Sequence, residues 1–212
     1  MAKRISLGRT QQLMENLKRE LKMGGTTLTN ITQQGTSTST AGTGAVSGST
    51  TAPATRVTTV NGEIITTITV NLTNLSASGE TGIIIGNKEA AADGTAPAYL
   101  IQWDTATNGI CYKVELSCIE TITGNGGFAD DIDLETDDAE LEMGGDPSTN
   151  NNVILASAAS IVAGDTISNL TPGSLNNDQF LYMVNGDAPG GTGDAQYATG
   201  KLVVRLYGHA DF

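Results

Sequence analysis

The chain has 212 residues, of which 38% are hydrophobic, 16% charged and 4% aromatic, with 26 Gly and a formal net charge of −12. A pI near 4.3 argues against nucleic acid or an anionic membrane as partner, because binding either relies on Lys and Arg against phosphate. No apolar run approaches the ~20 residues of a membrane span, no secretory signal opens the chain, and an abundance of Thr, Ser, Asn and Gly suits short strands joined by turns rather than a helical enzyme.

Charge is unevenly placed along the chain. Residues 1–25 carry Lys3, Arg4, Arg9, Lys18, Arg19 and Lys22 against Glu15 and Glu20, a net of +4 that leaves −16 for the remainder. Within this basic segment Leu13, Leu17 and Leu21 recur at i, i+4 and i+8 with Met14 beside them, which predicts an amphipathic helix from Thr10 to Met23 as the body of an N-terminal helical segment, residues 1–23. Thr10 is its candidate N-cap, and Gly24-Gly25 supplies the residue that ends helices. A lone helix of this length is marginal in water. Its leucine stripe therefore requires a partner surface, and Leu13, Leu17 and Leu21 are the candidate partner-binding residues.

Residues 24–54 are dominated by Thr, Ser, Gly and Ala, as in Gly35-Thr36-Ser37-Thr38-Ser39-Thr40. They lack the apolar content for a core of their own and read as an extended arm. Its many Thr residues make it ready to become strand once laid in a groove.

From residue 55 to 212 the pattern is that of a mainly β body. Arg56–Val60, Asn61-Gly62 and Glu63–Val70 form the sharpest local signal: Asn-Gly tolerates positive φ at both central positions of a type I′ turn, so the β-branched runs on either side read as a hairpin. Further strands are expected at 82–85, 98–103, 110–122, 152–157, 165–170, 179–184 and 201–207, separated by Gly, Asn, Asp and Pro clusters. Eight or nine short strands without a regular helix between them predict an antiparallel β-sandwich or jelly roll.

Few residues point to chemistry. The lone histidine, His209, lies three residues from the end of the sequence, where a surface role is favoured over acid–base work. Cys111 and Cys118 share one predicted strand at odd spacing, which places them on opposite faces and out of bridging reach. With two Cys and one His, a structural zinc site has too few of its usual ligands. Asp131, Asp133, Glu135, Asp137 and Glu142 fall at calcium-loop spacing, but Thr136 stands where that loop needs Gly. The favoured reading is an exposed edge strand with Ile132, Leu134 and Thr136 inward and Asp131, Asp133 and Glu135 in water. Gly124–Gly127 and Gly190–Gly193 are not followed by Lys-Ser or Lys-Thr and read as tight turns, not phosphate cradles. Most of the aromatic residues, Trp103, Tyr99, Tyr112, Phe128, Phe180, Tyr182, Tyr197 and Tyr207, are expected in the core and not on a sugar-stacking platform. No catalytic residue, cofactor or metal is expected.

The opening Met1-Ala2-Lys3-Arg4-Ile5-Ser6-Leu7-Gly8-Arg9-Thr10-Gln11-Gln12-Leu13-Met14-Glu15-Asn16-Leu17-Lys18-Arg19-Glu20-Leu21 with its Thr/Gly arm, and the ending Lys201-Leu202-Val203-Val204-Arg205-Leu206-Tyr207-Gly208-His209-Ala210-Asp211-Phe212, resemble small virion structural proteins of tailed phages from marine cyanobacteria and similar hosts. The resemblance implies a non-enzymatic shell component, a capsid decoration or cement protein with a β-sandwich body. Its partner would be the major capsid protein, and its place the capsid surface after synthesis in the host cytoplasm. No functional residue is carried over from it. The leucine stripe and the arm, which lack a partner within the chain, lead separately to the expectation of a symmetric homo-oligomer, a trimer. A tail or fibre module binding a host receptor or carbohydrate, or a neck component, uses the same kinds of parts.

Overall fold

β-branched residues dominate the stretches that become strands. In Glu63–Asn71 the sequence EIITTITVN alternates buried and partly exposed positions, the period-2 signature of a strand with one face on a core. The structure, a computed structural model, describes residues 37–38, 41–46, 52–60, 62–77, 80–88, 96–125, 130–147, 152–157, 160–173, 175–186 and 195–210. The expected helix over 1–23, with Leu13, Leu17 and Leu21, lies outside the described residues, as do Phe128 and the 190–193 turn.

Eleven strands are described: β1 (Ser37–Thr38), β2 (Ala54–Val60), β3 (Glu63–Asn71), β4 (Ser76–Ala77), β5 (Ile101–Gln102), β6 (Ile110–Asn125), β7 (Ile132–Asp137), β8 (Asn152–Leu155), β9 (Thr166–Asn169), β10 (Phe180–Asn185) and β11 (Ala195–His209). They make two antiparallel sheets, the larger in the order β1-β2-β3-β11-β6-β9 with β4 also on β11, the smaller in the order β5-β10-β7-β8. The hairpin expected at Asn61-Gly62 is present: Val60 pairs with Glu63 and Gly62 has φ 86°, which the absence of a Cβ permits. Residues 82–85, expected as a strand, make one isolated bridge, Ile84 with Val184, and Gly86 just after them bridges Ser76. The strand expected over 98–103 is limited to Ile101–Gln102.

One core joins the sheets. Ile68 and Val70 of β3, Val114 and Leu116 of β6, and Leu202, Val204 and Leu206 of β11 belong to the same buried cluster as Ile132 and Leu134 of β7 and Leu181 and Met183 of β10. Each such side chain contributes ~1.5–3 kcal/mol by leaving water. The opposite face of β10 is buried as well, with Phe180, Tyr182 and Val184 packed on Ile84, Ala98, Tyr99 and Leu141. A strand covered on both faces reads as a continuous apolar run, and FLYMVN is buried at all six positions.

Part of the Thr/Ser/Gly stretch is built into this body. Ser37–Thr38 pairs with the β2 edge. Gly42 N donates to Tyr99 O at 3.0 Å, Gly44 N to Pro97 O at 2.7 Å, and Asn87 N to Gly44 O at 2.7 Å. A Cβ at Gly42 would lie 2.1 Å from Pro97 O, and one at Gly44 2.4 Å from Ala96 O. These glycines, which suggest flexibility in the sequence, allow one backbone to lie directly against another.

The cysteine reading needs correction. Tyr207 pairs with Lys113 but Gly208 pairs with Cys111, so Tyr112 is the extra residue of a β-bulge. The bulge reverses the alternation. Cys118 is buried in the main core and Cys111 packs partly buried against that same core, so they do not take opposite faces. Both thiols are free.

Candidate functional site

Two groupings of polar residues stand out, one on each sheet. The first lies on the outer face of the larger sheet, at one end. It begins with Asp104, whose Oδ1 accepts from Ala106 N at 3.0 Å and whose Oδ2 accepts from Thr107 Oγ1 at 2.6 Å, capping the single helical turn Thr105–Asn108. Asn108, only 3% exposed, holds the turn to the body by donating to Thr66 Oγ1 at 2.9 Å and accepting from Asp104 N at 3.2 Å. Trp103 Nε1 donates to Gly109 O at 3.1 Å. The turn delivers the chain into β6 beside the last residues of β11, where Ile110 pairs with His209.

The bulge then turns Tyr112 outward, leaving it 39% exposed. This corrects the expectation that it belongs to the core. The Tyr112 ring lies 6.1 Å from that of exposed His209 at an interplanar angle of 23°, and 6.5 Å from that of half-buried Tyr207 at 51°. Carboxylates fix both tyrosines: Tyr112 Oη donates to Glu63 Oε1, and Tyr207 Oη donates to Glu115 Oε2 at 2.6 Å. Lys113 Nζ sits 4.6 Å over the Tyr207 ring and 2.7 Å from Glu115 Oε1. The hydrogen bond from Lys113, followed by that from Tyr207, holds the Glu115 carboxyl below its ordinary range. Burial, then Glu115, pushes the Tyr207 phenol up to about 12. Both groups thus keep one protonation state at neutral pH. Next to the strip, Thr105, Ala106, Ile110 and Ala210 line an open hollow of about 320 Å³.

The second grouping is the acidic stretch, and here too the structure departs from expectation. β7 is not an edge strand, since β10 pairs with one side of it and β8 with the other. Its outer face is covered by the chain after Asp137. Tyr182 Oη donates to Ala139 O at 2.7 Å and accepts from Leu141 N at 2.9 Å, while Gln179 Nε2 donates to Asp138 Oδ1 at 2.9 Å. Glu135 is consequently 6% exposed and Asp137 4% exposed. Asp133 Oδ1 accepts from Ser157 N at 2.5 Å. Gly186 makes room for the row, because a Cβ there would meet Asp131 Oδ1 at 2.8 Å and Asp133 Oδ1 at 2.9 Å. Burial, reinforced by Asp133 and Asp146, pushes the Glu135 carboxyl up to about 7. Burial outweighs the Ser157 hydrogen bond at Asp133 and raises it to about 6. Carboxylates at alternate positions of an extended strand stand side by side and do not wrap around a point. Among the described residues no three His, Cys, Asp or Glu side chains come together so as to hold a metal ion.

The remaining candidates are placed as follows. Trp103, Tyr182 and Tyr197 are fully buried and Phe180 nearly so, as expected of core aromatics. His209 is exposed at the end of β11, its Nδ1 3.2 Å from Ala210 O. The aromatic strip escaped sequence reasoning because Tyr112 lies 95 positions before Tyr207 and 97 before His209, on strands whose pairing and bulge are set by distant contacts. A Tyr at a strand end near the lone His was the available signal. No protein family, no curated protein and no solved structure matches this chain.

Proposed function

We propose that the chain is a non-enzymatic virion structural protein, a capsid decoration protein that binds the outer surface of a shell of major capsid protein as a homotrimer. The observation that carries this reading is the way the Thr/Ser/Gly stretch joins the body. Residues 37–38 and 41–46 are hydrogen-bonded onto it, so the β-body reaches back into this stretch, and the basic segment precedes it in the sequence. A body with a chemically distinct segment ahead of it is the layout that a shell-binding anchor requires. The basic segment, net +4, is the anchor, with Leu13, Leu17 and Leu21 entering an apolar groove and the acidic body facing away from packaged DNA. We read the body as a β-sandwich of jelly-roll type; the repeated change of sheet along the chain, from β3 to β5, then β6, β7, β9, β10 and β11, supports that reading. A tail, fibre or neck position is the alternative within the virion.

Mass measurement of isolated virions tests the reading. Hundreds of copies per particle are expected of a shell protein, on the order of a dozen indicates a tail or neck component, and absence refutes both. Leu17→Asp is expected to abolish attachment while the β-body stays folded. Full occupancy by that variant would exclude the helix as anchor.

A further inference from the structure

The strip of Tyr112, His209 and Tyr207 goes beyond shell attachment and does not rest on it. Tyr112 and His209 form an offset stack, near-parallel at 6.1 Å, and because Tyr112 is 39% exposed and His209 is exposed as well, the pair presents ring surface to solvent for a further apolar face. Their orientation is not left to solvent. Glu63 and Glu115 each accept a hydrogen bond from a tyrosine hydroxyl, and each carboxylate retains lone pairs for further donors. Ile110, 41% exposed, continues the strip into the hollow of about 320 Å³, at the small end of the ~300–1,000 Å³ range of ligand sites. Flat rings that accept C–H faces, flanked by fixed acceptors for hydroxyls, match the two kinds of surface that a pyranose ring presents.

We infer that the outer face of the larger sheet, at Tyr112, His209 and Tyr207, binds neutral oligosaccharides. The charge of the surroundings selects for neutrality. Residues beyond position 25 carry a net of −16, which repels polyanions, and of the cations near the strip Lys113 is engaged by Glu115 at 2.7 Å while Arg205 interacts with that same carboxylate. Three rings bordered by Glu63, Glu115 and Lys113 make a small patch, on the scale of a few sugar rings and short of the ~800 Å² per side that a stable protein interface buries. The residues form a binding surface and carry no chemical step.

The test uses the full-length protein on an array of neutral hexose and N-acetylhexosamine oligosaccharides, followed by calorimetric titration with the strongest array binder. Saturable binding is expected. Tyr112→Ala should weaken it at least ~10-fold through loss of the stacking ring, whereas Tyr112→Phe, which keeps the ring and loses only the Glu63 bond, should stay within about 3-fold of the parent. Ile119→Ser, at an exposed site elsewhere on β6, controls for nonspecific effects and should leave binding unchanged. Circular dichroism establishes that each variant is folded. Absence of saturable binding to any arrayed saccharide overturns the inference, as does binding that survives Tyr112→Ala. Salt-sensitive binding of a synthetic peptide of residues 1–25 at the same strip, with no saccharide bound, would overturn it in favour of a protein ligand.

Discussion

Replacing Glu135 by Gln should stabilise the protein at alkaline pH and leave it nearly unchanged at acid pH. The substitution keeps shape and polarity but removes the ability to ionise. In the folded chain Glu135 titrates at about 7 against an ordinary value near 4.5, so the native state holds the proton more tightly than the unfolded chain does. Its contribution to stability is therefore complete below about pH 4.5 and is lost as pH rises from there to about 7. At about 1.36 kcal/mol per pKa unit the full loss is ~3 kcal/mol. Relaxation of neighbouring dipoles and water brings the expected gain for the Gln variant at pH 8 to ~1–2 kcal/mol. Asp133, raised to about 6, loses the share due to its own burial between about pH 4 and 6 in both proteins, whereas its repulsion of ionised Glu135 exists only in the parent and belongs to the measured difference. Urea unfolding from pH 4 to pH 8, followed through the fluorescence of the sole tryptophan, fully buried Trp103, measures the effect. A variant-to-parent difference that is the same at pH 4 and pH 8 would refute the reasoning, because it would mean that Glu135 is not forced to ionise in a desolvated place.

Burial pushes the Cys111 thiol up to about 11 and raises that of Cys118 as well. At pH 8 only on the order of 0.1% of Cys111 is thiolate, so the native protein should react slowly with a thiol-specific disulfide reagent and release two equivalents rapidly once unfolded. Fast reaction of the folded chain would contradict the inward placement that the bulge at Tyr112 produces. Gly208→Ala would set a Cβ 2.3 Å from Asn108 O, a contact with backbone that cannot be relieved by a rotamer change. A loss of ~1–3 kcal/mol is expected, measured by denaturant unfolding, and an unchanged midpoint would mean that the 104–109 turn is not seated against β11.

What could be read from the sequence was local. Asn61-Gly62 with β-branched runs on either side specifies a hairpin through turn geometry alone, and residues 179–184 read as a strand from their apolar content and short length, which are properties of the segment itself, whereas the burial of FLYMVN on both faces came from packing. The helix expected at Leu13, Leu17 and Leu21 rests on the same kind of local periodicity. Tertiary structure decided the rest. Alternation in Asp131–Glu135 says that the acidic side chains face water, yet pairing of β7 with both β8 and β10, and the cover that Tyr182 pins at Ala139 and Leu141, remove that water. Strand parity puts Cys111 and Cys118 on opposite faces, and one bulged residue, Tyr112, cancels it. That same residue brings its ring beside His209, 97 positions away. A bulge is set by how β6 and β11 fit across their whole length, and the meeting of distant side chains by sheet order. Neither is encoded in the neighbourhood of the residues they move, and so the acidic row and the aromatic strip became visible only in the folded chain.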